Sequence, residues 1–388
     1  MTAVFTNASV LTPTGFRSDV TVKTRAGRIV AVDDAAADTQ AVEIDCEGGL
    51  LVPGYVDIQV NGGGGVLFND RPDIAGLKAI AAAHLKSGTT ALMPTLISDD
   101  LSVVDAGMRA VEAAREAGMA QILGIHVEGP FLNPAKRGIH DADKFLTLDD
   151  AAIELLCSLK SGRTLVTLAP ETCTPDQVRS LVERGVIVSL GHTNGKYAHA
   201  RAALEAGATG FTHLFNAMPQ MHSREPGVVG AALESQTAWT SLIVDGRHVD
   251  PVMLKLAHRL RPAGKLILIT DAMPNAGTEL TDFVLQGRKI HVSDGECRDE
   301  KGVLAGAHLT MDKAVANTIA LMQLDIAEAV AMAGANPARF LGLGDEVGTI
   351  MPGARADLLQ LDRQGRLVAV HPASASAQAA PAGLRHAL

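Results

Sequence analysis

Four short stretches carry residue types that could do chemistry together. "GIHVEGPF" holds His126 and Glu128 two positions apart, so they share one face of a strand, and Pro130 stops the ladder just beyond. "SLGHTNG" presents His192, "GFTHLFNAM" presents His213 and "LILITDAMPNAG" presents Asp271, each where an apolar run gives out. Two neutral imidazoles and a carboxylate form a ligand set for a divalent zinc or iron ion, with positions left open for water. Asp271 is then available to move a proton. Taken singly, each residue has a plainer role. A strand-end histidine is usually a hydrogen-bonded core residue, a buried glutamate usually pairs with Arg or Lys, and Thr-Asp can cap a helix. The joint pattern is what points to a site. His84, His199 and His258 lie inside helical patterns and read as structural.

These residues need a scaffold that brings strand ends together. Eight apolar runs, at 55–60, 89–95, 121–127, 164–169, 186–191, 209–214, 240–245 and 265–270, read as strands. Ala-rich helical segments lie between most of them. Two examples, "DIAGLKAIAAAHLKSG" and "SVVDAGMRAVEAAREAG", both end at Gly. Eight βα units predict an α/β fold, a (β/α)8 TIM-type barrel, whose reactive groups sit at the C-terminal strand ends. The alternative is an open doubly wound sheet, but no G-x-G-x-x-G motif follows the first strand.

The first 50 residues alternate apolar and polar positions between Gly or Asp breaks, and "GTIMPGARADLLQLDRQGRLVAV" repeats the style near the other end. Both ends therefore predict one small β domain, from residues 1–53 and 346–388, around the barrel at 54–345. The Ala/Pro/Ser-rich tail after residue 368 reads as poorly ordered.

Composition narrows the function classes. A chain of 388 residues, 47% hydrophobic, can bury a large core. A net charge of −9 without a long basic run argues against nucleic acid. An anionic substrate would need local cations. The four cysteines are scattered, with no CxxC pair, and read as inert thiols. The start, "MTAVFTNASVLTPTG", lacks a signal-peptide pattern, and no apolar run reaches membrane-spanning length, so a cytoplasmic protein is expected.

"PGYVDIQVNGGGG" is the unusual stretch. Asp57, Gln59 and Asn61 share the polar face of the first strand, which then runs into Gly62 to Gly65. The glycines could let backbone approach a ligand, or simply make a tight turn.

Together with "GIHVEGPFLNPAKRGIH", "GHTNG", "GFTHLFNAMPQMHSREPGVVG", "DGRHVDP" and "ITDAMPNAG", in that order, this chain resembles the N-acetylglucosamine-6-phosphate deacetylases of the amidohydrolase superfamily. "ANPARFLGLGDEVGTIMPGARADLLQLD" resembles the superfamily's return to its β domain. The likeness covers nearly the whole chain, and HVEGPF with THLFNAM and REPG is a specific combination.

The resemblance implies a barrel with a β-sandwich built from both ends. It implies hydrolysis of the acetamide of N-acetylglucosamine 6-phosphate to glucosamine 6-phosphate and acetate. Glu128, His192 and His213 become ligands of one divalent metal per subunit, zinc first, with iron, cobalt or manganese also suited. Asp271 becomes the catalytic acid/base, and His140 in "KRGIH" lies near the acetamido carbonyl. Arg224 and His248 match residues that hold the sugar phosphate. Asn216 and Ala217 match residues whose backbone amides approach phosphate or sugar. In that family the His248 equivalent is taken to come from the neighbouring subunit, which implies a homodimer.

Many superfamily members carry His-x-His on the first strand as half of a second metal site. Gln59 and Asn61 stand there, and amides are weak zinc ligands, so one tightly held ion is expected. The rivals are the galacto epimer as substrate, another amidohydrolase, and a non-catalytic barrel. Cyclic-ureide and dihydroorotate hydrolases usually need a carboxylated lysine on the fourth strand, which "TLVTLAPE" lacks. A non-catalytic barrel would show loss of a ligand or of Asp271, and neither is lost.

Overall fold

The computed structural model describes residues 2–33 and 41–373. Eight parallel strands form one sheet in chain order: Tyr55–Val60, Thr89–Ile97, Gly124–Glu128, Arg163–Leu168, Ile187–Leu190, Gly210–Phe211, Trp239–Leu242 and Leu266–Leu268. Each predicted run overlaps one of these strands. The sheet curls into a nearly closed barrel. Its first and eighth strands meet just past their ends, where Asn61 N and Gly62 N donate to Ala272 O and Asp271 N donates to Gln59 O. The Asp57 carboxylate adds to this seam by accepting from Thr270 Oγ1 and Thr270 N. The polar face of the first strand thus begins as a closure device.

Helices cover the barrel. Ile74–Leu85 starts at Asp73, whose side chain accepts from Gly76 N, satisfying an amide that the helix leaves free. Leu101–Glu116 follows the second strand. The chain leaves these two helices through Gly88 and Gly118, at φ +83° and +79°.

Both chain ends share a seven-stranded sheet. Leu358–Leu361 pairs antiparallel with Val42–Pro53, which pairs parallel with Thr2–Thr12. Val10, Val22, Ile29, Leu51 and Leu358 are buried in its own apolar cluster, apart from the barrel core. Leu367–His371 is a further strand of this sheet. That corrects the expectation of disorder from residue 368. Pairing with Leu358–Leu361 and a ring contact of His371 with Phe5, at 5.1 Å, give the segment partners. Residues 374–388 of the predicted tail lie outside the described residues.

A four-stranded antiparallel sheet follows the eighth barrel strand, made of Asp282–Leu285, Arg288–Ser293, Glu296–Asp299 and Leu304–Ala307. Two of its hairpins turn at Gln286-Gly287 and Asp294-Gly295, all four residues at positive φ, the signature of type I′ turns. Its apolar side packs on Leu67, Ile97, Ile139 and Met273 at the barrel mouth.

The glycine run is a hairpin. Gly62–Gly63 pairs with Val66–Leu67 across Gly64 and Gly65, at φ +62° and +85°. His84 Nε2 donates to Gly62 O at 2.9 Å, and a Cβ on Gly63 would lie 2.8 Å from that same nitrogen. The glycines serve the turn and this close packing.

Candidate active site

Glu128 is the last residue of the third strand, and His192, His213 and Asp271 lie just past the fifth, sixth and eighth. His192, His213 and Asp271 all adopt left-handed backbone, at φ +46°, +35° and +50°. Such geometry costs about 1–3 kcal/mol per residue and persists where surroundings impose it. Here Ser241 Oγ accepts from His213 N at 2.8 Å, and Gln59 O accepts from Asp271 N at 3.0 Å. Sharp turns at these positions aim three side chains at one point.

Glu128 Oε1 lies 2.9 Å from His213 Nε2 and 3.4 Å from His192 Nε2, and the two nitrogens are 3.1 Å apart. A tetrahedral ion with ligands at about 2.0 Å spaces them by about 3.3 Å, so the three contacts match the edges of such a site. The donor chemistry fits as well. His192 Nδ1 donates to Lys136 O at 2.8 Å, which leaves the Nε2 lone pair facing the cluster. His213 Nδ1 is buried without a partner among the described residues. Burial pushes the Glu128 carboxyl up, but the adjacent His192 and His213 outweigh it and hold the group well below the usual range, ionised.

His140 also comes close enough to Glu128 and His192 to complete a possible ligand group, with Nε2 3.8 Å from Glu128 Oε2. Its hydrogen bonds argue otherwise. Ser98 N donates to His140 Nδ1 at 3.2 Å, so the neutral ring carries its proton on Nε2, the atom facing the cluster. Burial, reinforced by His192, pushes its pKa down to about 3 and keeps it neutral. Its Nε2–H is therefore a donor on the cavity wall.

Asp271 stands across from these groups. Asn61 Nδ2 donates to Asp271 Oδ1 at 2.7 Å, and Gln59 Nε2 donates to the same oxygen at 3.1 Å and to Glu128 Oε1 at 3.0 Å. Burial first, then the Glu128 charge, push the Asp271 pKa up to about 6. A carboxylate near that value can take a proton and give it back at neutral pH.

Asn61, Glu128, His140, His192, His213 and Asp271 line a cavity of about 220 Å³ together with the apolar Ile97, Ile139, Ile243, Met273, Val303 and Leu304. His248 lines the same cavity, its Nδ1 donating to Asp245 Oδ2 at 2.6 Å. Within this chain the Asp245 clamp holds the ring on the cavity wall. Ala217 also lines it, at φ +51°, and its N–H has no partner among the described residues. Asn216 lines it too, but its N–H already donates to His213 O. Arg224 lies elsewhere, exposed on the loop before the Gly227–Glu234 helix. It has no ion-pair partner among the described residues and does not reach the cavity.

The sequence pattern of the amidohydrolase family matches residues 50–384. The chain belongs to the amidohydrolase family. Within that family it is 41% identical over 322 residues to the N-acetylgalactosamine-6-phosphate deacetylase of Shewanella sp. (strain ANA-3), covering 83% of this chain and 82% of that one. It is 34% identical to the N-acetylglucosamine-6-phosphate deacetylase of Haemophilus influenzae, covering 84% and 86%. The crystal structure of the N-acetylglucosamine-6-phosphate deacetylase from Pasteurella multocida superimposes with a TM-score of 0.92 at 32% identity, over 96% of this chain and 98% of that one.

Some functional contacts of this amidohydrolase are not in the sequence pattern. His126 shares the strand of Glu128 but sits one layer deeper. It contacts Thr95 Oγ1 at 3.3 Å and Thr167 Oγ1 at 2.8 Å, and burial pushes its pKa down to about 4. It is a neutral strut beneath the site. Ser98, the Lys136 carbonyl, and Val303 and Leu304 at the start of the last strand of the four-stranded sheet belong to no recognisable ligand spacing. The paired hairpin turns of that sheet are the available sequence signal.

Proposed function

We propose that the chain is a metal-dependent deacetylase that hydrolyses the acetamide of N-acetylglucosamine 6-phosphate to glucosamine 6-phosphate and acetate. The convergence of Glu128, His192 and His213 at tetrahedral spacing opposite a carboxylate of pKa about 6 carries this reading. Those three residues hold one divalent ion, with zinc the first choice and iron, cobalt or manganese compatible with the same donors. The ion supplies positive charge that polarises the amide carbonyl and acidifies a water.

The protein's own groups do the rest. Asp271 accepts the proton of the attacking water and returns it to the amide nitrogen as the C–N bond breaks, so acetate and a free amine leave. His140 donates from Nε2 to the carbonyl oxygen as negative charge builds there. Gln59 and Asn61 keep Asp271 aimed. His248 and the Ala217 N–H face the phosphate, with Asn216 at the same end.

Arg224 adds phosphate charge pairing from outside the cavity. In a homodimer, Arg224 has the exposure to reach a neighbouring subunit's site, whereas His248 serves its own. Four free thiols, and no helix among the described residues long and apolar enough to cross a membrane, fit a cytoplasmic enzyme. Metal-loaded protein should release acetate from N-acetylglucosamine 6-phosphate and work far less well on the unphosphorylated sugar. Equal turnover of both would remove the phosphate roles of His248 and Arg224.

A further inference from the structure

We infer that Glu171 is a positioning residue: it fixes the His192 imidazole in the ion site by binding the loops after the third and fifth strands to one carboxylate. The inference rests on the metal-site reading of Glu128, His192 and His213 and deepens it.

His192 needs support from outside its own turn. Its backbone is left-handed, at φ +46°, a conformation that a non-glycine residue keeps only where its surroundings impose it. Its ring is aimed by Nδ1 donating to Lys136 O at 2.8 Å. The His192 turn and the turn that carries Lys136 must therefore be held against each other.

Glu171 stands just past the fourth strand, Arg163–Leu168, in a loop that supplies none of the three ligands. It grips both turns. On the fifth-strand side, Thr193 Oγ1 donates to Glu171 Oε2, and Asn194 N donates to Glu171 Oε1 at 2.6 Å. Thr193 Oγ1 in turn accepts from Gly195 N at 2.8 Å. A Cβ on Gly195 would lie 2.8 Å from Glu171 Oε2, so the glycine lets this turn close on the carboxylate. On the third-strand side, Asn133 Nδ2 donates to Glu171 Oε1 at 2.9 Å. Asn133 then joins the two turns. Its N–H donates to His192 O at 3.0 Å. Its Oδ1 accepts from Ala135 N at 2.9 Å and caps the Pro134–Lys136 turn, whose last carbonyl receives the His192 ring. The Glu171 loop is itself anchored, because Phe131 O accepts from Ala169 N at 2.9 Å and from Thr172 Oγ1 at 3.1 Å. Three donors from two loops thus converge on one carboxylate, and the ring they steady is an ion ligand.

The test is zinc affinity of the whole chain, demetallated and titrated against a competing chelator, with thermal melting of the same samples. Glu171→Ala should weaken zinc by about 10- to 100-fold, the usual cost of losing a partner that orients a ligand. Glu171→Asp keeps the charge but is one methylene too short to span both loops, so it should weaken zinc in the same way. Glu171→Gln keeps the reach. Its Oε1 accepts from Asn133 and Asn194, and its Nε2 donates to Thr193 Oγ1 once that hydroxyl turns, so affinity should stay close to wild type. A residue that only steadied the fold would lower the melting temperature and leave the zinc affinity of folded protein unchanged. Unchanged affinity in Glu171→Asp overturns the inference. So does a loss in Glu171→Gln as large as in Glu171→Asp, because charge and not reach would then be what the ion senses. If Glu171→Ala does not fold, the Asp and Gln variants decide between these outcomes. Wild-type protein that binds no zinc overturns the metal-site reading itself, which separates the two failures.

Discussion

Around the barrel mouth, the third, fifth and sixth strands turn lone pairs toward the centre, while the first strand turns N–H bonds toward it. Glu128, His192 and His213 gather acceptor atoms within 2.9 to 3.4 Å of one another. Gln59 and Asn61 instead donate to Asp271 and Glu128. Both halves are buried. The difference is hydrogen-bond direction. A cluster of lone pairs is stable only when a cation or protons occupy it, whereas amide N–H groups repel a cation and steady a carboxylate. One half is therefore built to hold an ion and the other to hold a base.

Substitutions on each side should fail in different ways. The largest effect belongs to the lone-pair half. Glu128→Gln should strip the ion from purified protein and abolish turnover, read by elemental analysis beside an acetate assay. Asp271→Asn should cut kcat by roughly 10²- to 10⁴-fold with metal content unchanged. His140→Ala should cost about 10²- to 10³-fold in kcat, again with metal retained. Loss of metal in that variant would make His140 a ligand and move it to the other side of the comparison. Gln59→Ala removes one of two side-chain donors to Asp271, and a net loss of about 1–3 kcal/mol at a buried carboxylate predicts a drop of about 5- to 150-fold, with metal retained.

The pH profile offers the gentlest probe. Asp271 must be ionised to accept a proton, and its pKa is raised to about 6, so kcat/KM should fall as pH drops through about 6. A bound cation would pull the acid limb lower still. Asp271→Asn should flatten that limb in whatever activity remains.

The sequence made the lone-pair half legible because strand ends are legible. Apolar runs end abruptly at Glu128, His192 and His213, and the barrel carries those ends to one place. It was silent about the other half's contacts. Gln59 bridges two carboxylates from strands 69 and 212 positions away, a relation no local spacing encodes. Arg224 and His248 looked alike as cations, yet one is exposed and the other is fixed by Asp245. The four-stranded sheet over the mouth is hard to read in the sequence because short antiparallel strands weigh little beside eight long apolar runs, although its turn pairs mark the hairpins plainly.

Metal titration of the demetallated protein tests the division of the barrel mouth most directly. Acetate release from N-acetylglucosamine 6-phosphate should rise linearly with added zinc and level off at about one equivalent per chain. A requirement for two equivalents, with Gln59 or Asn61 bound to the second ion, would contradict it.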